Sequence, residues 1–307
     1  MNAFGLTPHE QMNFGIGEFY SLSCALVWAI AVVLFKKAGE SLGPFALNLF
    51  KNALAAVLLG LTVLALSPIL PVLPPLSLLL ILLSGWLGIC LGDTWYLRAL
   101  NQIGASRMAV AQTLYSPFVI GLSALFLGEH LRGPQWLGAS LVLLGVVLVT
   151  WSRDPARSAV DTRSLRVGTA IGVLSVLLMA IGIVMAKPML AIHDFLWVVW
   201  LRVMGGLIGM VLIVVWRRDV PALIREFRAV RHWPQVLAGS FAGTYLSMLL
   251  WLAGYKYTSA SVSAVLNETA AVFIVLFAVL FLHERVRPRQ YAGITLAMLG
   301  VALVVLR

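Results

Sequence analysis

Apolar residues run through this chain in long blocks, and polar residues are confined to short stretches between them. A helix needs about 20 apolar residues to cross the hydrocarbon core of a bilayer. Ten blocks approach that length, at about 17–37, 44–66, 76–97, 104–127, 134–151, 168–188, 195–216, 234–255, 260–282 and 289–306. The connections carry turn residues: Pro68, Pro71, Pro74 and Pro75 follow the second block, and Gly133-Pro134 opens the fifth. Only the loops at 152–167 and 217–233 exceed ten residues, so chemistry must sit within or beside the membrane. The pattern predicts an all-α membrane protein of ten transmembrane helices. The first fifteen residues lack a basic leader, and the first block is long enough to span, so it is read as a span and not a signal peptide.

The blocks repeat. Residues 96–151 align without a gap to 251–306 at an offset of 155. Matches include Ala105/Ala260, Ser106/Ser261, Phe126/Phe281, Glu129/Glu284, Arg132/Arg287, Gln135/Gln290, Gly138/Gly293 and Gly145/Gly300. Apolar segments match by chance at Leu and Val; Glu, Arg, Gln and Gly in one register do not. The earlier part matches more weakly at offset 151, with Lys36/Lys187 and Lys51/Arg202. The expected organisation is a first five-helix repeat at 17–151, a linker at 152–167, and a second five-helix repeat at 168–306. Five is odd, so the second half enters the membrane in the opposite sense. Inverted repeats of this kind are common in secondary transporters, whose substrate sites lie near the midplane between them. The alternatives are a flippase of lipids or lipid headgroups and a non-transporting membrane partner protein.

Composition agrees with the pattern. Charged residues are 11% of the chain and apolar residues 61%, against roughly 25% charged in a soluble domain. The net charge of +10 first suggests nucleic acid. Position argues against that: of 22 basic residues, 16 fall on one side if the loops after spans 1, 3, 5, 7 and 9 share it, and 4 on the other. The positive-inside rule then places both termini outside the cytoplasm and the arginine-rich loops 153–166 and 217–231 against anionic lipid. Cys24 and Cys90 lie in apolar blocks and are read as small buried hydrophobes, not a disulfide.

Each half closes on one motif. It reads Phe126-Leu127-Gly128-Glu129 with Gln135, Gly138 and Gly145, and again Phe281-Leu282-His283-Glu284 with Gln290, Gly293 and Gly300. Doubled at a fixed offset in two five-helix halves, it resembles the EamA family of the drug/metabolite transporter superfamily, over nearly the whole chain from residue 17. The resemblance implies a multipass transporter of the bacterial inner (plasma) membrane. It implies export of amino acids or other small polar metabolites by alternating access, and no cofactor. The chain departs from the family in two ways. Family members are usually drawn with both termini cytoplasmic, and Lys51 stands where an arginine is typical of the second helix, although the second half keeps Arg202.

Charges inside spans are costly and therefore informative. Four lie deep: Lys51, Asp93, Arg202 and Glu268. In one reading Lys51 and Arg202 bind a carboxylate or phosphate of the substrate, while Asp93 or Glu268 binds an ammonium group or carries a coupling proton. In the other they are ion pairs that fix helix packing, and for Asp93 nearby Arg98 is an ordinary partner. Glu268 leans toward function, because Asn267-Glu268-Thr269 is a polar cluster matched by Gln112-Thr113 in the first half. Tyr115, Trp28, Trp95 and Trp251 are candidates for an aromatic lining of the substrate site, or for lipid-interface anchors.

Other polar residues receive blander readings. Lys36 and Lys187 are expected to snorkel to the interface. Glu129 and Glu284, beside Arg132 and Arg287, are read as interfacial salt bridges or helix-end gates. Gly88-x-x-x-Gly92, Gly205-x-x-x-Gly209 and Gly239-x-x-x-Gly243 should mark close helix packing inside the bundle. Pro117 should kink the fourth helix, and because its counterpart is Val272 the two halves should not move identically. No His-Glu-x-x-His, no metal-binding Cys/His cluster and no phosphate-cradling Gly-Lys-Ser/Thr loop occurs in the sequence, so no enzyme and no metal site is expected.

Overall fold

The computed structural model describes residues 15–38, 42–103, 108, 111–150, 162–218, 220–273, 277 and 288–305. Among them all regular structure is helical. In chain order the helices are α1 (Ile16–Ala38), α2 (Pro44–Leu66), α3 (Pro75–Gly85), α4 (Thr94–Ile103), α5 (Tyr115–Phe126), α6 (Gly133–Thr150) and α7 (Thr162–Ile192), then α8 (Phe195–Arg217), α9 (Val220–Arg228), α10 (Trp233–Ser240), α11 (Ser247–Tyr257), α12 (Ala260–Asn267) and α13 (Pro288–Val305). Proline opens α2, α3 and α10 in the first turn, where its missing N–H costs nothing. Asp194 caps α8 by accepting from Trp197 N at 3.1 Å, and Ser259 caps α12 by accepting from Val262 N at 3.2 Å.

Among the described residues, five helical segments are long and apolar enough to cross a membrane: Pro44–Leu66, Pro75–Leu100, Leu165–Ile192, Phe195–Arg217 and Trp233–Tyr257. Ile16–Val32, Tyr115–Phe126, Gly133–Leu148, Ala260–Phe273 and Tyr291–Val304 are apolar but shorter. The outer surface is apolar, with Val57, Leu61 and Leu64 of α2 and Val211, Leu212 and Val215 of α8 exposed. The deep charges Lys51, Arg202 and Glu268 are buried. That distribution inverts the soluble pattern and suits a lipid surround.

The contacts between the two halves are reciprocal. Segment 1 (α1) packs on segments 8 and 9, and segment 6 (α7) packs on their counterparts 3 and 4. Segments 2 and 7, 4 and 9, and 5 and 10 pair with each other. The glycines of the repeated motif show the same exchange. A methyl group built on Gly138 would stand 2.7 Å from the Gly300 carbonyl oxygen, and one on Gly145 would stand 2.5 Å from that of Gly293. Only hydrogen at these Cα positions lets α6 and α13 cross so closely. The glycines singled out in the third, seventh and eighth segments also lie inside the bundle: Gly92 against Met179, Gly205 against Leu82, Gly209 against Trp86, and Gly243 against Ala31 and Phe35.

Two irregularities also repeat. Segment 3 passes through a π-helical stretch at Trp86–Asp93 and segment 8 through one at Phe241–Leu246, and both begin at positions 155 apart. The two central segments break into turns at Thr113–Leu114 and at Glu268–Thr269, again 155 apart. Pro117 sits at the expected kink, since proline cannot donate to the Thr113 carbonyl four residues back. It sits in the first turn of α5, just after a break that both halves possess.

Candidate functional site

The helix breaks bring polar groups of both halves together. At Glu268 the backbone tightens: Glu268 N donates to Val265 O at 3.2 Å, and Thr269 N donates to Leu266 O at 3.1 Å. These bonds of 3₁₀ type reaim the following residues. The Glu268 side chain is 7% exposed. It accepts a hydrogen bond of 3.1 Å from Ser116 Oγ of the first half. Beside Ser116, the buried Tyr115 hydroxyl meets the Tyr255 hydroxyl at 2.9 Å, a second contact between the halves.

The other deep charges divide unequally. Lys51 Nζ donates to Asp93 Oδ2 at 2.7 Å, so the partner of Asp93 is Lys51 and not Arg98. Asn48, one turn before Lys51, donates to Ile89 O and to Thr94 Oγ1, each at 3.0 Å. A π-helical stretch leaves carbonyls off the regular ladder, and Asn48 satisfies one of them. This ties α2 to the segment that carries Asp93. Arg202, the repeat counterpart of Lys51, is 1% exposed. Its guanidinium lies 5.1 Å from the centre of the Trp251 ring, and its Nε and Nη1 have no hydrogen-bond partner among the described residues.

The remaining candidates are scattered around this core. Trp251 also packs edge-on to Tyr255 at 5.4 Å. Asn267 turns back along its own helix, donating to Ser263 O at 2.8 Å. Gln112 lies beside the first break with its Oε1 buried and without a partner among the described residues. Trp28 packs edge-on to Phe35, which faces the second π-helical stretch. Trp95 is half-buried, two residues after Asp93. Tyr255, Ser116 and Asn48 are the site residues that sequence reasoning missed. A tyrosine or serine in an apolar block signals nothing until its partner across the bundle is known.

One expectation is corrected. Lys187 does not snorkel: Nζ donates to Tyr255 O at 2.9 Å and to Thr258 O at 2.7 Å, and it pairs with Glu129 Oε1 at 3.2 Å. Glu129 Oε2 accepts from Ala260 N at 2.7 Å, so a carboxylate of the first half caps a helix of the second. Thr258 Oγ1 donates to Glu18 Oε1 at 3.0 Å. Glu129, Lys187 and Glu18 thus converge on the turn between α11 and α12. The side chain of Lys36, and Glu284 and Arg287, lie outside the described residues. Cys24 and Cys90 are free thiols, both buried, and the described residues include no metal-binding cluster.

Two pseudo-symmetric helical halves, with broken central helices and charges buried where the halves meet, define a membrane transporter. The chain belongs to the EamA-like transporter family, which it matches over residues 15–151 and 166–306. It is 26% identical over 295 residues to an uncharacterized transporter of Archaeoglobus fulgidus, covering 93% of this chain and 96% of that protein. Its fold is similar to that of a protein solved by crystallography, with a TM-score of 0.75 and 16% identity, covering 94% of this chain and 95% of the other.

Proposed function

We propose that the protein is a secondary transporter that moves a small polar metabolite, an amino acid or a similar compound, outward across a bacterial inner membrane by alternating access. Ten segments, five in each of two inverted halves at 17–151 and 168–306, cross the bilayer. The substrate binds between the halves at the level of the helix breaks. The observation that carries this reading is Glu268. It is a buried carboxylate at the break of a central helix, bonded to Ser116 of the opposite half. A rocking motion of one half against the other must change that bond, so a proton or ammonium group on Glu268 is coupled to the motion.

The experiment is flux into and out of proteoliposomes holding the full chain, with labelled amino acids, nucleosides and phosphorylated metabolites, with and without a pH gradient. The expected result is flux of at least one compound that responds to the gradient. Glu268→Gln should abolish the response to the gradient while leaving substrate exchange. Gradient-driven flux that survives in Glu268→Gln removes Glu268 as the proton carrier.

A further inference from the structure

The repeat explains why one deep cation is neutralised and the other is not. Lys51 and Arg202 occupy matching positions in the second and seventh segments. In the first half the third segment supplies Asp93, 2.7 Å from Lys51. The position 155 residues on from Asp93, in the eighth segment, is Met248. The second half therefore keeps the cation and lacks the acid. Arg202 still reaches that segment at the same level: its guanidinium packs over Trp251, one turn beyond Met248. Among the described residues no carboxylate pairs with it, and Glu268 is bonded to Ser116.

Asp93 attracts Arg202 only from beyond ion-pair distance, and a buried guanidinium with no contacting acid is expensive in any protein interior and more so at membrane depth. The packing nevertheless holds it in place. A methyl group on Gly88 would stand 2.9 Å from Arg202 Nη2, so glycine there makes the room that the guanidinium fills. The Trp251 ring lies over the guanidinium carbon, and Nε and Nη1 remain without an acceptor among the described residues.

We propose that Arg202 is the anchor for a substrate carboxylate, which takes in the second half the place that Asp93 holds in the first. The inference rests on the transporter reading and names its substrate class: a small molecule bearing one carboxylate, bound charge-to-charge at Arg202 against Trp251. A single carboxylate supplies the one negative charge that Arg202 lacks. A phosphate dianion brings one too many. The Lys51–Asp93 pair is the structural copy of the site and binds no substrate.

The test is thermal unfolding of the full chain in lipid nanodiscs, because a ligand that binds the folded state raises Tm whether or not it is transported. The probes are matched acids and amides at constant ionic strength: acetate and acetamide, benzoate and benzamide, glycine and glycinamide, with inorganic phosphate alongside. At least one acid should raise Tm and its amide should not. Arg202→Met should lose that response and, without ligand, unfold at or above the wild-type Tm, since it removes an unpartnered charge. Gly88→Ala, which keeps the arginine but crowds its guanidinium, should weaken the response. The proposal is overturned if no acid shifts the wild type, if acid and amide act alike, if phosphate alone acts, or if Arg202→Met keeps the response. It is also overturned if Arg202→Met lowers the ligand-free Tm, as loss of a structural ion pair would. Absence of flux in proteoliposomes with the acid response intact would instead count against transport and leave the site standing.

Discussion

Lys51 and Asp93 join the second and third segments of the first half through a 2.7 Å ion pair whose side chains are 8% and 21% exposed. Removing one member of a buried pair strands the other charge and costs about 3 kcal/mol or more, whereas replacing both with apolar residues is often near neutral. Lys51→Met and Asp93→Leu should each destabilise the protein by about that amount, and the double variant by much less. A double-mutant cycle on unfolding free energies checks this. Additive losses would mean that the two residues act independently.

Gly138 and Gly300 set the crossing of α6 and α13. Alanine at either position meets backbone or side-chain atoms at 2.6–2.8 Å, and overpacking of this kind costs about 1–3 kcal/mol. Gly121 in α5 has nothing within 4 Å of a built methyl group. Gly121→Ala should therefore be neutral or stabilising by about 0.5–1 kcal/mol, as for an ordinary helix position. Unfolding measurements on the three alanine variants separate the cases.

Glu129 and Lys187 lock the turn between α11 and α12. Glu129 accepts from the Ala260 amide, and Lys187 holds both Glu129 and the Tyr255 and Thr258 carbonyls. Removing one charged partner of such a hydrogen bond loosens it by about 1.5 kcal/mol. Glu129→Gln or Lys187→Met should therefore speed amide hydrogen exchange at Ala260 by about tenfold. Unchanged exchange would show that packing alone holds this turn.

Much of this architecture is legible in the sequence because polar and glycine matches survive in an apolar background. Glu129/Glu284 and Gly138/Gly293 announce the duplication, and the duplication dictates that segment 5 meets segment 10. The burial of Lys51, Arg202 and Glu268 follows from the expense of charge in a span. Their pairing is not legible, because hydropathy does not say which face of a helix meets which. Arg98 and Lys51 are equally plausible partners of Asp93 until the second segment is seen against the third. The break at Thr113–Leu114 has a signal in Pro117, which cannot donate to the Thr113 carbonyl four residues back, whereas the break at Glu268–Thr269 has no glycine or proline of its own. Lys187 is misread for a related reason: the carbonyls that hold it belong to a turn 68 and 71 residues away.

The distribution of arginine and lysine predicts orientation. Ten spans would put 16 of the 22 basic residues on one side, and a C-terminal reporter active only in the cytoplasm should then stay dark. A bright reporter would mean that the customary family orientation prevails over the charge count.

The central claim, that the halves enclose a route for a small polar solute, is tested most directly by flux through proteoliposomes holding the purified chain. Saturable passage of at least one labelled polar metabolite is expected, absent from protein-free vesicles and reduced at least tenfold by Arg202→Gln, the equivalent of about 1.4 kcal/mol of lost interaction. Passage of a fluorescent lipid between leaflets, with no metabolite crossing, would contradict it.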